Sequence, residues 1–460
     1  MTLAIITVFI LGYLCIALES GLKVNKSAIA LFMCVICWTL YMFGAETYVP
    51  LFHSHDFLVS TLSNAADFRS YATSNVLLPH LGETAEIIFF LMGAMAIVEV
   101  VDSNGGFHFV YDHLGTRSKR KLLWRITLLT FFLSAVLDNM TTSIVMIMVL
   151  RKLVSNRRDR MYYAALIILA ANSGGAFSPI GDITTIMLWI KNYVTSIGLI
   201  KEIIIPSLVS CLIPALILQF HLKGELEPAD DVKAEPLSET MRTERNLIFW
   251  LGVGGLIFVP IFRALTGLPP YMGILLVLAV LWITTELLNR PVHKSRVHSV
   301  GSILSRIDLN TILFFLGILM AVSTLQETGV LRLVGEKLEE ATDGNAFLVT
   351  GAIGLLSAVV DNVPLVAGCM GMYDMATPAA AALNPELLNF VQDGIFWQLL
   401  AYCAGVGGSL LIIGSAAGVV VMGLEKISFG WYLKNVTWIG LCGYLAGIVV
   451  YWLEKVVIGL

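Results

Sequence analysis

The sequence predicts an all-α polytopic membrane protein made of two inverted repeats, each with a re-entrant helical hairpin and a broken (unwound) transmembrane helix. Hydrophobic residues make up 57% of the 460 residues and charged residues only 13%, whereas soluble domains carry about 25% charged residues. Long apolar runs and an internal repeat are the other two observations. Together these three observations indicate a chain that is embedded in a lipid bilayer.

The long apolar runs approach the length of about 20 residues that a helix needs to cross a bilayer. No basic residue precedes the first run, which we therefore interpret as a membrane helix rather than a signal peptide. All the cysteines lie in apolar stretches and are typical of packing residues. The runs lie at 3–18, 27–44, 86–103, 203–219, 246–264, 270–288, 310–326 and 436–453.

Four further apolar segments are interrupted by polar residues. Asp-Asn pairs interrupt 123–150 and 347–372, and glycine-rich polar stretches interrupt 161–190 and 395–424. The loops on both sides of 123–150 are rich in Lys and Arg, which predicts that both are cytoplasmic. This segment is therefore expected to be a hairpin that enters and leaves on the same side. The loops around 347–372 are poor in basic residues, so the second hairpin is expected to enter from outside, where both chain termini are also predicted.

An internal repeat relates these segments in pairs. Residues 134–139 (SAVLDN) match residues 357–362 (SAVVDN). Three glycines of each half match in the same order, namely Gly174, Gly175 and Gly181 with Gly407, Gly408 and Gly414. The predicted halves are 1–219 and 246–460, joined by a cytoplasmic linker at 220–245. Inverted repeats with broken helices are typical of secondary transporters.

The breaks place carboxylates where they are costly. Non-helical backbone at membrane depth is tolerated only inside protein or beside water, and a carboxylate at the bilayer centre costs about 2.5–3.5 kcal/mol. We interpret Asp138, Asp182 and Asp361 as groups that offer oxygen atoms to a cation and release it on protonation. An alternative for Asp138 and Asp361 is that they are only helix N-caps, and the glycines alone are also compatible with close packing.

The candidate ion-binding residues all lie at or next to a break. The first half is richer in them than the second, because Asn172 and Asp182 are replaced there by Gly405 and Ser415. The first half is therefore expected to bind the ion more strongly. The candidates are Asp138, Asn139, Thr141, Thr142, Asn172, Ser173, Gly174, Ser178, Asp182, Thr184, Thr185, Asp361, Asn362, Ser409 and Ser415.

Candidates for a proton path or for pH sensing are the three buried aspartates together with Glu86 and Glu327. Glu86 is expected to open helix 86–103 from outside, although an ordinary interfacial carboxylate is an equal alternative. His80 is interpreted as an ordinary residue near the membrane surface. The segment 53–56 (HSHD) is interpreted as a solvated loop rather than a metal site.

Three motifs carry a resemblance to a known family. Residues 137–142 read LDNMTT, residues 172–185 read NSGGAFSPIGDITT, and residues 360–364 read VDNVP. They resemble the motifs of the NhaD-type sodium/proton antiporters of the ion transporter superfamily, from about residue 80 to the C-terminus. The resemblance implies exchange of Na⁺ and Li⁺ for H⁺, with Na⁺ at Asp138, Asn139, Asn172 and Asp182. It also implies a homodimer in which a scaffold domain stays still while a transport domain moves.

Two other functions remain open at this point. The first is an anion or arsenite permease, or a sodium-coupled symporter, on the same scaffold, although the breaks contain no Lys or Arg to bind an anion. The second is an intramembrane aspartyl protease, in which Asp138 and Asp361 would share a proton. A transporter rather than an enzyme is expected, in a prokaryotic cytoplasmic membrane. No cofactor is expected, and the net charge of −4 gives no indication of nucleic-acid binding.

Overall fold

The computed structural model describes residues 1–17, 24–53, 67–106, 114–226, 239–288, 305 and 307–458. Within these ranges the chain is helical and contains no β-strand. Seven of the described helices are long and apolar enough to cross a membrane. The protein is therefore an all-α polytopic membrane protein, as predicted, and seven of the expected apolar runs correspond to these helices.

The first half of the chain contains the first hairpin and the first broken helix. In chain order its helices are α1 (Thr2–Ala17), α2 (Lys26–Phe43), α3 (Ala45–Phe52), α4 (Phe68–Ala72), α5 (Leu78–Ser103), α6 (Lys119–Ser134), α7 (Asn139–Leu153), α8 (Arg157–Ala176), α9 (Ile183–Ile190) and α10 (Ser196–Leu218).

In the second half of the chain, as in the first, a hairpin precedes a broken helix. The helices of this half are α11 (Glu239–Thr266), α12 (Pro270–Leu288), α13 (Leu309–Glu327), α14 (Val330–Thr342), α15 (Ala346–Ser357), α16 (Asn362–Met372), α17 (Pro378–Leu383), α18 (Ile395–Gly407), α19 (Ala416–Glu425), α20 (Phe429–Asn435) and α21 (Thr437–Trp452). A 3₁₀ turn covers Pro385–Phe390, and π turns cover Thr73–Leu77 and Leu453–Ile458.

The prediction that Glu86 opens a helix is wrong. The helical segment runs without interruption from Phe68 to Ser103, through a π turn at Thr73–Leu77, so Glu86 lies inside it. Polar residues ahead of Glu86 do not break this segment because their side chains find partners. His80 lies 2.8 Å from Glu327 and the hydroxyl of Thr84 donates to Met320 Sδ at 3.5 Å, both in α13, while the hydroxyl of Ser74 donates to the carbonyl oxygen of Ser70 at 2.7 Å. A second boundary also differs from the prediction: α11 begins at Glu239, inside the linker predicted at 220–245.

The chain forms two compact units that do not coincide with the two sequence halves. The first unit contains Met1–Met92, Asp308–Asn345 and Pro364–Asp374. The second contains Gly93–Ile307, Ala346–Val363 and Met375–Leu460. Each half of the sequence contributes to both units. The division of the chain into repeats at 1–219 and 246–460 stays a prediction.

The four helix breaks lie where the sequence predicts them. The two hairpins turn between α6 and α7 and between α15 and α16, and the two broken helices are α8–α9 and α18–α19. In the second unit, Ser134 of the first hairpin donates its hydroxyl to the carbonyl oxygen of Ala171 at 2.7 Å. Ser357 of the second hairpin does the same to Ala404 at 2.8 Å. Matching contacts therefore accompany the repeat, while re-entry into the membrane and the opposite orientation of the halves stay predictions.

Glycines allow each hairpin to contact its broken helix. A Cβ atom on Gly174 would overlap the carbonyl oxygen of Phe131 in α6. A Cβ atom on Gly407 would overlap the carbonyl oxygen of Gly354 in α15. Only glycine permits this approach of backbone to backbone. The alternative interpretation of these glycines as close-packing residues therefore holds for both positions.

A buried carboxylate joins three segments at the C-terminus of α19. The side chain of Glu425, the last residue of α19, is 1% exposed and accepts from Arg151 Nε at 2.6 Å and from Arg160 Nε at 2.7 Å. Arg151 also donates to the carbonyl oxygen of Leu424. Two guanidinium groups thus compensate one carboxylate that would be costly if it were buried alone. These bonds tie the C-terminus of α19 to the end of α7 and the start of α8.

Candidate ion-binding site

The tip of the first hairpin holds Asp138 in an unusual backbone conformation. Its φ is 99° and its ψ is 157°, a region that residues other than glycine rarely adopt and that costs about 1–3 kcal/mol. The carboxylate caps α7, because it accepts from Thr141 N at 2.8 Å and from Thr141 Oγ1 at 2.6 Å. The cap offsets part of the strain and fixes the start of α7, so that the next residue, Asn139, is held in a buried position.

The first broken helix provides the central carboxylate. Helix α8 ends at Ala176 and α9 begins at Ile183, and the segment between them contains Pro179, which has no amide hydrogen to continue the helix. Asp182 is the N-cap of α9, because its Oδ1 accepts from Thr184 N at 3.2 Å. The side chain is 1% exposed. The helix break thus places a carboxylate at a helix N-terminus, where the peptide dipoles favour negative charge.

Asp182 is the centre of a buried polar cluster in the second unit. Asn139 donates through Nδ2 to Asp182 Oδ2 at 2.9 Å and to Asn172 Oδ1 at 3.0 Å. Asn362, at the tip of the second hairpin, lies 3.3 Å and 3.4 Å from the two oxygens of Asp182. Asn172 in turn donates to Ser415 Oγ at 3.1 Å. We call these five residues, Asp182, Asn139, Asn172, Asn362 and Ser415, the Asp182 cluster.

The Asp182 cluster brings both hairpin tips and both broken helices to one place. All five members are at most 5% exposed. Among the described residues, no ion pair is found at the carboxylate of Asp182, whose partners are amides. A buried carboxylate without a cationic partner is costly unless a proton or a cation joins it. Either a proton or a cation would therefore stabilise the Asp182 carboxylate, as expected of an ion-binding carboxylate.

The donor set fits a hard cation. Sodium, like other hard cations, prefers oxygen ligands, and carboxylate, amide and hydroxyl oxygens are all present. An amide that turns over presents its oxygen in place of its nitrogen. In addition, the hydroxyl oxygen of Thr142 is buried without a hydrogen-bond partner in the described part of the chain, and the Thr184 hydroxyl interacts with Asp182. Unpartnered buried oxygens are expected where a ligand completes the coordination.

Several predicted site residues use their side chains elsewhere in the structure. Ser173 accepts from the hydroxyl of Ser210 at 2.9 Å, and Ser178 donates to the carbonyl oxygen of Ala135. Thr185 donates to the carbonyl oxygen of Asp182 at 2.8 Å, and Ser409 to that of Val406 at 2.6 Å. These hydroxyls stabilise the breaks. Their direct contact with an ion stays a prediction.

The two aspartates at the hairpin tips act as helix caps in the structure. Asp138 caps α7, as described above, and Asp361 Oδ1 accepts from Val363 N at 3.3 Å at the start of α16. Capping was one of the two interpretations left open by the sequence. It does not exclude ion binding, because each carboxylate retains lone pairs beyond those that its cap uses.

In the first unit, Glu327 lies in a second polar cluster that includes two histidines. Glu327 Oε2 lies 2.7 Å from His53 Nε2, and Glu327 Oε1 lies 2.8 Å from His80 Nε2. Sequence reasoning assigned no role to either histidine, and no local signal links residues so far apart in the chain. Of the predicted loop 53–56, only His53 belongs to the described residues. Glu86 is half-buried, and we find no hydrogen bond or ion pair for it within the described ranges.

Polar helix breaks that converge on a buried carboxylate within an apolar helical protein define a membrane transporter of the broken-helix class. A family model described as "Citrate transporter" matches residues 13–392. Sodium/proton antiporter 2 of Arabidopsis thaliana is 41% identical over 96% of this chain and 97% of its own length. The chain belongs to the NhaD-type sodium/proton antiporters of the ion transporter superfamily.

Two further relatives show the range of the similarity. Sodium/proton antiporter 1 of Arabidopsis thaliana is 43% identical over 97% of this chain and 72% of its own length. The Na⁺/H⁺ antiporter NhaD of Vibrio cholerae is 28% identical over 97% of this chain and 91% of its own length. The family is thus a family of transporters, which leaves the aspartyl protease alternative without support.

Proposed function

We propose that this protein exchanges Na⁺, and also Li⁺, for H⁺ across a membrane, and that the two kinds of ion compete for Asp182. The observation that carries the proposal is the Asp182 cluster: a buried carboxylate with amide partners, at the meeting point of four helix breaks. A cation neutralises this carboxylate in one state and a proton neutralises it in the other. Binding of one therefore excludes the other, which is the condition for exchange.

The role of the first half follows from the same contacts. Asp182, Asn139 and Asn172 supply the central oxygens, and Asp138 fixes the strained turn that positions Asn139. Thr142 adds a hydroxyl without a hydrogen-bond partner among the described residues, and Thr184 adds a hydroxyl that interacts with Asp182. We propose that these residues hold the Na⁺ ion, with Asn362 and Ser415 as supporting partners from the second half.

Proton transfer and pH sensing are a separate part of the proposal. Asp182 exchanges the transported proton, and Asp138 and Asp361 lie at the hairpin tips, where a proton path would begin. Glu327 and Glu86 belong to the first unit, and Glu327 is proposed as a pH-sensing group because two histidines contact it.

The proposed setting is a prokaryotic cytoplasmic membrane with the basic loops in the cytoplasm and both termini outside. The bacterial relatives support this setting, and the Arabidopsis relatives show that the family extends to plants. A homodimer is proposed on the resemblance alone.

Proton release from everted membrane vesicles tests the exchange. The vesicles come from a host without its own antiporters, are acidified by respiration, and receive NaCl, LiCl or KCl. Sodium and lithium are expected to dissipate the proton gradient. Asp182→Asn is expected to slow this by about a hundredfold, because the neutral amide loses charged interactions with the cation worth about 3 kcal/mol and takes up no proton in exchange. Asparagine is itself a good N-cap, so α9 keeps its start.

The matched control is Asp374→Asn, because Asp374 is an exposed carboxylate outside the helices, and it is expected to retain full activity. Potassium citrate provides a further arm, since the family model is described as a citrate transporter. If citrate and not sodium changes the gradient, the protein is an anion permease and the exchange proposal is wrong. Normal exchange by Asp182→Asn would remove Asp182 from the mechanism.

Competition also fixes the sign of the pH dependence. Lowering the pH protonates Asp182, removes its charge and leaves fewer sites for Na⁺. The apparent KM for Na⁺ is therefore expected to rise as pH falls, by at most about tenfold per pH unit for a single competing proton. Initial rates at a series of Na⁺ concentrations between pH 6 and 9 measure this. A KM that does not change over this range would contradict competition at one carboxylate.

A further inference from the structure

The first unit contains an apolar groove with a single cationic side chain at its rim. The groove has a volume of about 570 Å³. Helix α2 forms one wall, and residues of α4, the π turn, α5 and α13 form the other. The lining residues on α2 run from Leu31 to Phe43, and among the described residues of the lining only Arg69 of α4 is charged.

The walls of this groove present almost only carbon atoms. The indole nitrogen of Trp38 donates to the carbonyl oxygen of Met320 at 2.8 Å, and the hydroxyl of Thr39 donates to that of Val35 at 2.7 Å. The polar atoms of both side chains are therefore satisfied within the protein. Val35 and Phe43 are each 61% exposed. An apolar surface of this kind fits a hydrocarbon chain.

Arg69 gives the groove a polar end. The residue is exposed, and its guanidinium lies 5.9 Å from the centre of the Phe43 ring. Within the described part of the chain, no carboxylate forms an ion pair with it. Asp67 is the nearest acidic residue in sequence; its exposed carboxylate accepts from Ser70 N at 2.6 Å as the cap of α4 and also attracts the Arg69 guanidinium through solvent. A guanidinium in this position fits a phosphate group, which it binds through two parallel hydrogen bonds.

The length of the groove matches one leaflet of a bilayer. Phe43 lies twelve positions after Leu31, and a rise of 1.5 Å per position gives about 18 Å. One leaflet contributes about half of the 30 Å hydrocarbon thickness. Phe43 and Arg69 lie at the same end of the groove, and Phe43 ends the membrane-spanning helix α2. Arg69 is therefore at the level of the lipid headgroups when α2 spans the membrane.

We propose that this groove binds an anionic glycerophospholipid, with one acyl chain along α2 and the phosphate on Arg69. A second groove in the same unit provides an internal comparison. It has a volume of about 460 Å³ and lies between α1 and α2, and none of the described residues in its lining is charged. These described walls resemble those of the first groove but include no cationic partner for a phosphate. Selectivity for anionic lipid is therefore expected at the first groove only.

Native mass spectrometry of the full-length protein tests the proposal. The protein is released from vesicles of equal parts phosphatidylglycerol and phosphatidylcholine, and the retained lipids are counted. The wild type is expected to retain phosphatidylglycerol preferentially. Arg69→Gln is expected to reduce this preference by about tenfold, the effect of losing one charged hydrogen-bonding partner. Val35→Trp fills the groove from an exposed position and is expected to reduce retention of both lipids.

Two matched variants control the experiment. Leu11→Trp fills the second groove from a residue that is 56% exposed, and Arg332→Gln removes an exposed arginine of the same unit. Both are expected to keep the preference for phosphatidylglycerol. The proposal is overturned if the wild type shows no preference, if Arg69→Gln retains it, or if Arg332→Gln loses it equally. It is also overturned if Val35→Trp changes only the oligomeric mass, because the groove would then hold a second copy of the chain.

Discussion

The two pairs of hairpin and broken helix share their packing but not their chemistry. Ser134 and Ser357 make the same hydrogen bond to a broken helix, at 2.7 Å and 2.8 Å. Gly174 and Gly407 permit the same close approach of backbones. The features that hold each hairpin against its helix thus occur in both pairs.

The chemical groups differ between the two broken helices at the positions around Asp182. Where the first pair has Asp182, the second has Ser415, and where the first has Asn172, the second has Gly405. A Cβ atom on Gly405 would lie 3.6 Å from Asp182 Oδ2, so the absent side chain leaves space beside the carboxylate. The second pair therefore completes the surroundings of Asp182 rather than forming an equivalent site. Two pairs with similar packing thus surround a single buried carboxylate, Asp182.

The largest effect is expected from the shared packing and should be similar in both pairs. Gly174→Ala and Gly407→Ala each force a methyl group against a carbonyl oxygen and are expected to destabilise the protein by about 3 kcal/mol. Thermal unfolding in detergent, followed by size-exclusion chromatography, measures this. The control is Gly423→Ala in α19, where a Cβ atom would meet no neighbour within 4 Å. If only one of the two glycine variants is destabilised, the packing of the pairs is not equivalent.

A smaller effect should distinguish the two asparagines that contact Asp182. Asn139 lies 2.9 Å from the carboxylate and also contacts Asn172, whereas Asn362 lies 3.3 Å away. Asn139→Ala is expected to raise the KM for Na⁺ about tenfold, and Asn362→Ala about threefold, because shorter hydrogen bonds contribute more. Sodium titrations in everted vesicles measure both. Equal effects, or a larger effect of Asn362→Ala, would show that the second hairpin contributes as much as the first.

The smallest effect is expected at the two capping aspartates. Asn caps a helix about as well as Asp, so Asp138→Asn and Asp361→Asn should each change the unfolding free energy by less than about 1 kcal/mol. The two variants are expected to differ in transport. Asp138→Asn should lower the affinity for Na⁺ severalfold, because it removes a negative charge near the proposed site, whereas Asp361→Asn should leave that affinity unchanged. Unfolding and transport measured on the same preparations separate the two roles. Identical transport by both variants would leave Asp138 as a cap alone.

Much of this architecture was predictable from the sequence, because polar interruptions in long apolar runs are strong signals. All four helix breaks are found near their predicted positions, and the motifs that contain Asn139, Asn172 and Asp182 mark residues that meet in the structure. Glu86 lies inside a helix rather than at its start because the polar side chains just before it, His80 and Thr84, find partners on α13. Local polarity therefore predicts a break only where neither the helix nor its neighbours satisfy the polar groups.

Contacts between distant segments were not predictable in the same way. Asn362 and Asp182 are separated by 180 residues, and His80 and Glu327 by 247. No periodicity or motif in one sequence connects such pairs. The same holds for Glu425, which closes an apolar helix without any local sign that two arginines from other segments surround it.

Helix α19 has a remote consequence for the site at its other end. Its N-cap, Ser415, accepts from Asn172, and its last residue is Glu425, held by two guanidinium groups. Ten residues of helix make a stiff rod of about 15 Å. The contacts of Glu425 with Arg151 and Arg160 and the contact of Ser415 with Asn172 are therefore held at the two ends of one short helix. A single rigid element thus fixes the distance between the arginine pair and the Asp182 cluster.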